Sequence, residues 1–322
     1  MRKQILSTLL LLFSLASCQQ KRSSATTIKT NEKMGQKMLD IYKQVKTYDY
    51  NPLYEIEFSQ DACGYEILIN GLPVHRYLMF GSANEQRIPI NDHILKSGKQ
   101  EIVIRLFPPQ LSDQSWSPTL VDGTRFKIKV IHHATDGTTD NPKQVFEFTT
   151  SYKSGTEKFV GSGQKFFEFT GSFDAEVPYH VEGWKNSKDL GKENQDKLLK
   201  EAIAAYSDFR NVLIRKDVNA YASLMYDKEL ELAKVFYWHT PADSKERWDE
   251  MGGTVLEKRE ILPLNDFKMV LYADGKVLAL QPTSEMYKDY LSAIQAQTED
   301  DDIQVSFLLH KKAGSNKLTP IR

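Results

Sequence analysis

Cysteine is scarce in this chain: two among 322 residues, Cys18 and Cys63. So few cannot build the multi-bridge framework of a small secreted scaffold, and the fold must rest on buried apolar surface. An excess of charge of either sign is missing too. Lys and Arg total 42 against 43 Asp and Glu, a net charge of −1. Nucleic-acid binding normally demands a basic surface, so no nucleic-acid partner is expected. No apolar run reaches the roughly 20 residues that a helix needs to cross about 30 Å of hydrocarbon. No internal repeat occurs.

Catalytic signatures are missing as well. Gly-x-Ser-x-Gly, Gly-rich phosphate loops and Cys-x-x-Cys pairs do not occur. The histidines, His75, His93, His132, His133, His180, His239 and His310, never take the i, i+4 spacing with an intervening Glu that a zinc hydrolase needs. His132 and His133 adjoin in an alternating stretch, so they point to opposite faces and cannot share a metal without a bulge. Ser162 and Lys165 match Ser-x-x-Lys, but the pair enters a strand-like stretch and lacks the companion motifs of acylating enzymes. Asp136, Thr138 and Asp140 offer oxygens without the spacing or closing Glu of a calcium loop. The expectation is a non-enzymatic protein with no cofactor and no metal.

What is present begins at the N-terminus. Met1, Arg2 and Lys3 form a basic patch, and residues 5–16 are dominated by Leu, Phe and Ile. That is the layout of a secretory signal: positive n-region, apolar h-region, small-residue cleavage site. Leu15-Ala16-Ser17-Cys18 resembles the lipobox of bacterial prolipoproteins. The resemblance implies cleavage after Ser17, diacylglycerol on the Cys18 sulfur and a third acyl chain on the new amine. Two or more chains anchor stably, at about 0.8 kcal/mol per buried methylene. Gln19 rather than Asp after the cysteine, followed by Lys21 and Arg22, implies an outer-membrane protein facing the periplasm. Loss of Arg2 and Lys3 leaves 40 basic residues against 43 acidic, a charge of −3. Cys63 then has no partner and reads as a small buried hydrophobe.

Residues 1–17 are thus a signal peptide and 18–48 a tether and short helix. The helix is read from Met34, Met38, Ile41 and Val45 at helical spacing. Residues 49–183 carry strand signals. Asn70-Gly71 marks a two-residue hairpin, and Ile102, Ile104 and Leu106 alternate with Glu101, Val103 and Arg105. Phe126, Ile128 and Val130, then Phe146 and Phe148, then Phe167 and Phe169 repeat the pattern. Many short alternating strands with regular turns predict an all-β sandwich, jelly-roll or Ig-like. The stretch from Tyr65 to Asn70-Gly71, with Leu95-Lys96-Ser97-Gly98 and Ile102-Val103-Ile104, resembles galactose-binding-like jelly-roll modules that accompany glycoside hydrolases. That resemblance implies the fold and suggests carbohydrate binding.

Residues 187–322 predict an α+β domain, helices on an antiparallel sheet. Leu199, Ala202, Ile203, Tyr206, Phe209, Val212 and Leu213 share a helical face, and Asp217 caps a helix running through Met225. Thr240-Pro241 opens another helix, which Gly252-Gly253 stops. Asp274-Gly275 marks a second hairpin, and residues 305–309 a last strand. The element order is loosely similar to the nuclear transport factor family. The acidic run at residues 299–302 reads as a solvated loop.

The functional expectation is a lipid-anchored envelope protein acting by contact with another envelope protein or a glycan. An immunity lipoprotein against an incoming toxin and a carbohydrate-binding or carbohydrate-active protein are the alternatives. Trp116, in the polar loop at residues 112–117, is the candidate ligand-binding residue, since an exposed indole can stack on a sugar or anchor a partner. Intact-mass analysis of membrane-extracted protein is expected to find Cys18 as an acylated N-terminus, and Cys18→Ala to move the protein to the soluble fraction. An unacylated terminus, or one at another residue, overturns the lipid assignment.

Overall fold

Alternating apolar residues become paired strands in the computed structural model, which describes residues 32–79, 81–113, 115–134, 142–298 and 302–322. The signal peptide, Cys18 and the Asp136-Thr138-Asp140 loop lie outside the described residues. The fold is rich in β-structure: among the described residues there are four antiparallel sheets and four α-helices. α1 (Glu32–Leu39) precedes β1 (Pro52–Asp61), β2 (Gly64–Ile69), β3 (Leu72–Tyr77), β4 (Ala83–Pro89), β5 (Gly98–Phe107), β6 (Arg125–Ala134), β7 (Lys143–Thr149) and β8 (Phe167–Ala175). These form two sheets, ordered β4-β1-β6-β7 and β3-β2-β5-β8. Their inner faces share one buried cluster, including Ile56, Phe58, Ile67, Ile104, Phe126 and Ile128.

The Asn70-Gly71 signal holds. Both residues have positive φ, 50° and 78°, which lets two residues close the β2–β3 turn. Asn70 also ties this turn to β5. Its amide donates to Gln100 Oε1 (2.8 Å) and the His93 carbonyl (2.8 Å), and its oxygen accepts from the Glu101 N–H (3.0 Å). At the far edges β7 and β8 interlock through Phe146, Phe148 and Phe169, the last two stacked at 4.2 Å. Gly171 makes room, for a Cβ there would lie 2.7 Å from the Phe146 ring.

After β8 come α2 (Gln195–Ile214), α3 (Val218–Val235) and α4 (Pro241–Leu256), then β9 (Glu260–Ile261), β10 (Phe267–Tyr272), β11 (Val277–Pro282), β12 (Gln295–Gln297), β13 (Asp302–Gln304), β14 (Leu308–Lys311) and β15 (Leu318–Ile321). Their sheets are ordered β10-β11-β14-β15 and β13-β12-β9. Asp217 caps α3 as expected, accepting from the Ala220 N–H (2.9 Å), and Thr240 with Asp243 forms a capping box on α4. Two expectations fail. α3 does not stop at Met225 but continues to Val235. α4 runs through Gly252-Gly253 to Leu256, because Met251 and Val255 are buried and tertiary packing outweighs glycine's low helix propensity. The Asp274-Gly275 hairpin exists with a four-residue loop between Tyr272 and Val277. β15 was not read from the sequence at all.

α1 packs on α3 and α4 rather than on the strands that follow it. Met38, Ile41 and Val45 enter the cluster that holds Tyr206, Phe209, Trp248 and Leu309.

The β3-β2-β5-β8 sheet meets the β10–β15 region through a third buried cluster, with Leu68, Leu72 and Val103 against Tyr272, Val277 and Ile321. Val103 thus faces away from Ile102 and Ile104 yet is buried, so β5 is covered on both sides. Inside this contact Glu66 is buried and holds two guanidiniums. Arg76 Nε lies 3.0 Å from Oε1 and Arg105 Nη1 3.0 Å from Oε2. Arg76 also donates to Gln281 Oε1 and the Tyr272 hydroxyl, both at 3.1 Å. Removing Glu66 would leave Arg76 buried without its anion, a loss of about 3–5 kcal/mol. Glu66→Ala is expected to lower the urea midpoint accordingly, and Glu66→Gln, which keeps the shape, to cost less. An unchanged midpoint in Glu66→Ala would show that the ion pair contributes nothing.

Candidate functional site

The outer face of sheet β4-β1-β6-β7 carries a ladder of opposite charges set by strand register. Glu57 of β1 sits opposite Lys129 of β6 and Arg87 of β4, Ser59 opposite Lys127, and Asp61 opposite Arg125. Opposite charges directly across strands stabilise a sheet modestly. The pairs close: Arg87 onto Glu57, Lys129 onto Glu57 (3.9 Å), Arg87 onto Glu55 (3.6 Å) and Lys127 onto Glu147 (3.4 Å).

Three clefts run together over this face. One of about 680 Å³ is walled by Met79 on one side and residues 109–113 on the other, with Asp61 to Cys63 between them. It shares Asp61 and Ser82 with a second cleft of about 470 Å³, lined by Arg125, Lys127, Thr149 and Tyr152. That one shares Ser59 and Lys127 with a third of about 260 Å³, which reaches Glu57 and Lys129. The result is a groove from the loops at the end of the sheet across β1 and β6. Leu111 is 41% exposed and Tyr152 37%, and Arg125 lies 5.9 Å from the Tyr152 ring centroid. Ordinary globular surfaces expose single apolar residues; here two flank one groove.

The 109–117 loop is a tight hairpin. Leu111 N–H donates to the Ser115 carbonyl (2.7 Å) and Ser117 N–H to the Pro109 carbonyl (3.0 Å). Asp113 accepts from the Ser115 backbone (2.9 Å) and hydroxyl (2.5 Å). Trp116 pairs with Gln110 across this hairpin. The indole is half-buried, and Lys288 Nζ lies over its face, 2.9 Å from the centroid. Trp116 is not among the residues that line the cleft, although its partner Gln110 is.

The other sequence candidates scatter. His132 stacks on Tyr54 at 4.9 Å while His133 faces Glu55 (3.5 Å), on opposite sides of β6 as alternation requires. His75 meets the Tyr65 hydroxyl (3.1 Å), and His310, its pKa pushed down to about 4 by burial, meets the Ser187 hydroxyl (2.7 Å). Ser162 is in a turn, not entering a strand, and donates to Asp122 (2.5 Å). Among the described residues no three His, Cys, Asp or Glu side chains gather in a metal-holding group. Tyr152, Leu111 and Lys127 were missed by sequence reasoning, since isolated surface residues carry no signal until strand order brings them together. No family model matches the chain, nor does any curated protein or solved structure.

Cys63 borders the groove but is 2% exposed, with its thiol on the Arg125 carbonyl at 3.7 Å. Burial, with Asp61 nearby, pushes the thiol pKa up to about 12. Thiolate is the reactive form. Cys63 is expected to resist iodoacetamide at pH 8 in the folded protein and to react fully in denaturant. Rapid modification of the native chain would show that the groove opens to its floor.

Proposed function

We propose that the chain is a lipid-anchored cell-envelope protein that binds its ligand along this groove without transforming it. In this reading Cys18 holds it at the outer membrane facing the periplasm, and a jelly-roll sandwich at 49–183 is followed by an α+β domain at 187–322. The observation that carries the binding role is the groove itself. The clefts share lining residues, and Glu57, Lys127 and Lys129 along them are held in ion pairs rather than converging on one point where a bond would be broken. Binding sites commonly join apolar surface to a few fixed polar groups. The jelly-roll assignment draws support from Asn70, which joins the two stretches that carry the resemblance.

A glycan is the ligand class favoured over a protein partner. Paired charges present donors and acceptors to hydroxyls without demanding a charged ligand, and Tyr152 offers a ring face for the C–H side of a sugar. Trp116 serves this site through its partner Gln110, without lining the cleft itself. Titration of the protein with neutral oligosaccharides of four to six units, followed by calorimetry, is expected to show saturable binding. Tyr152→Ala and Lys127→Ala should each weaken it about tenfold, or about 1.4 kcal/mol. Saturable binding that neither substitution changes would sink the groove assignment, and an absence of binding by any glycan would sink the ligand class.

A further inference from the structure

Residues 284–290, which follow β11, cross from the C-terminal sheets to the apolar end of the groove and touch both of its walls. On one side the Asp289 carboxylate accepts from the Leu78 N–H and from the Met79 backbone. Met79 lines the cleft. Asp289 is half-buried there, and that burial holds its carboxyl above the usual carboxylate range. On the other side Lys288 lies over the Trp116 ring, 2.9 Å from its centroid. Lys288 is itself paired with Glu285 at 2.6 Å. Trp116 passes this contact to Gln110, its ladder partner, which lines the cleft. Among the described residues none of the strap lines the cleft itself.

Seven residues thus grip two walls that the chain supplies from separate places, the end of β3 and the 109–117 hairpin. The strap is fastened at its own end too: Tyr287 and Tyr290 are in ring contact (5.4 Å), and Gln297 of β12 donates to the Tyr287 hydroxyl (3.4 Å). A cation over an indole contributes about 0.5–1 kcal/mol at exposed sites and more when desolvated. Lys288 is mostly covered, its side chain 18% exposed. Such a contact can order a short hairpin that has few apolar contacts of its own.

We infer that this strap sets the spacing of the cleft's two walls, and that Trp116 is a positioning residue acting on the ligand through Gln110 rather than by touching it. The inference rests on the reading that the groove is the ligand seat. Hydrogen exchange on the full chain tests it without a ligand. Lys288→Ala is expected to speed exchange of the Leu111 and Ser117 amides about tenfold, and Asp289→Asn that of the Leu78 amide, while Ile56 and Ile128 in the sheet stay protected as in the parent. Lys288→Arg, which keeps a cation over the ring, should restore the parent pattern. Unchanged exchange at both walls overturns the strap, as does an equal rise throughout the chain. A second arm measures oligosaccharide affinity: Lys288→Ala should weaken it severalfold and Lys288→Arg recover it. If the exchange pattern appears and no oligosaccharide binds, the strap stands and the glycan reading falls.

Discussion

The Glu66 carboxylate, buried between Arg76 and Arg105, is the constraint on which the relation of the strands to the rest of the molecule depends. A buried ion pair is poor evidence of net stability, because desolvation offsets much of the attraction. Its value here is directional. The apolar cluster of Leu68, Leu72, Tyr272 and Val277 would tolerate sliding, since hydrophobic contact has no preferred angle. A guanidinium that must meet Glu66, Gln281 and the Tyr272 hydroxyl together tolerates very little. Asn91 adds a second fixed point. Its amide donates to the carbonyls of Pro52 and Val235, and its oxygen accepts from the Tyr54 N–H, bridging β1 and the end of α3.

Much of this architecture was legible in the sequence where the signal is local. Asn70-Gly71 needs positive φ at both positions, and Asp217 and Thr240 have side-chain oxygens at helix starts; such features declare themselves without tertiary context. The readings that failed are those in which packing decides. Gly252-Gly253 looks like a helix end, yet Trp248, Met251 and Val255 bury one face of α4 across it. Val103 sits on the polar side of an alternating strand, and only the arrival of Tyr272 and Val277 makes that side interior.

The groove was illegible for a related reason. Glu57, Lys127 and Lys129 are what any solvated strand face would carry, and only the order β4-β1-β6-β7 sets them beside one another. Trp116 did stand out, as a large aromatic in a polar loop. Its chemistry could be anticipated, a flat face suited to a cation or a sugar, but not that Lys288, 172 positions further on, already occupies that face. The same holds for the two hairpins read independently. Their tips meet, with Ala273 N–H donating to the Gly71 carbonyl (3.0 Å), so Gly71 answers a contact as well as a turn: a Cβ there would lie 2.8 Å from Ala273 Cα.

The placement of α1 bears on the order in which a growing chain can assemble. Met38, Ile41 and Val45 find their partners on α3 and α4 and near Leu309, close to the far end of the polypeptide. During synthesis that stripe is made before β1 to β8 and stays without its seat until α3 and α4 exist. β1 to β8 can meanwhile pair among themselves, so the early helix is an apolar surface kept waiting, the kind of exposure that invites association with chaperones or with other nascent chains.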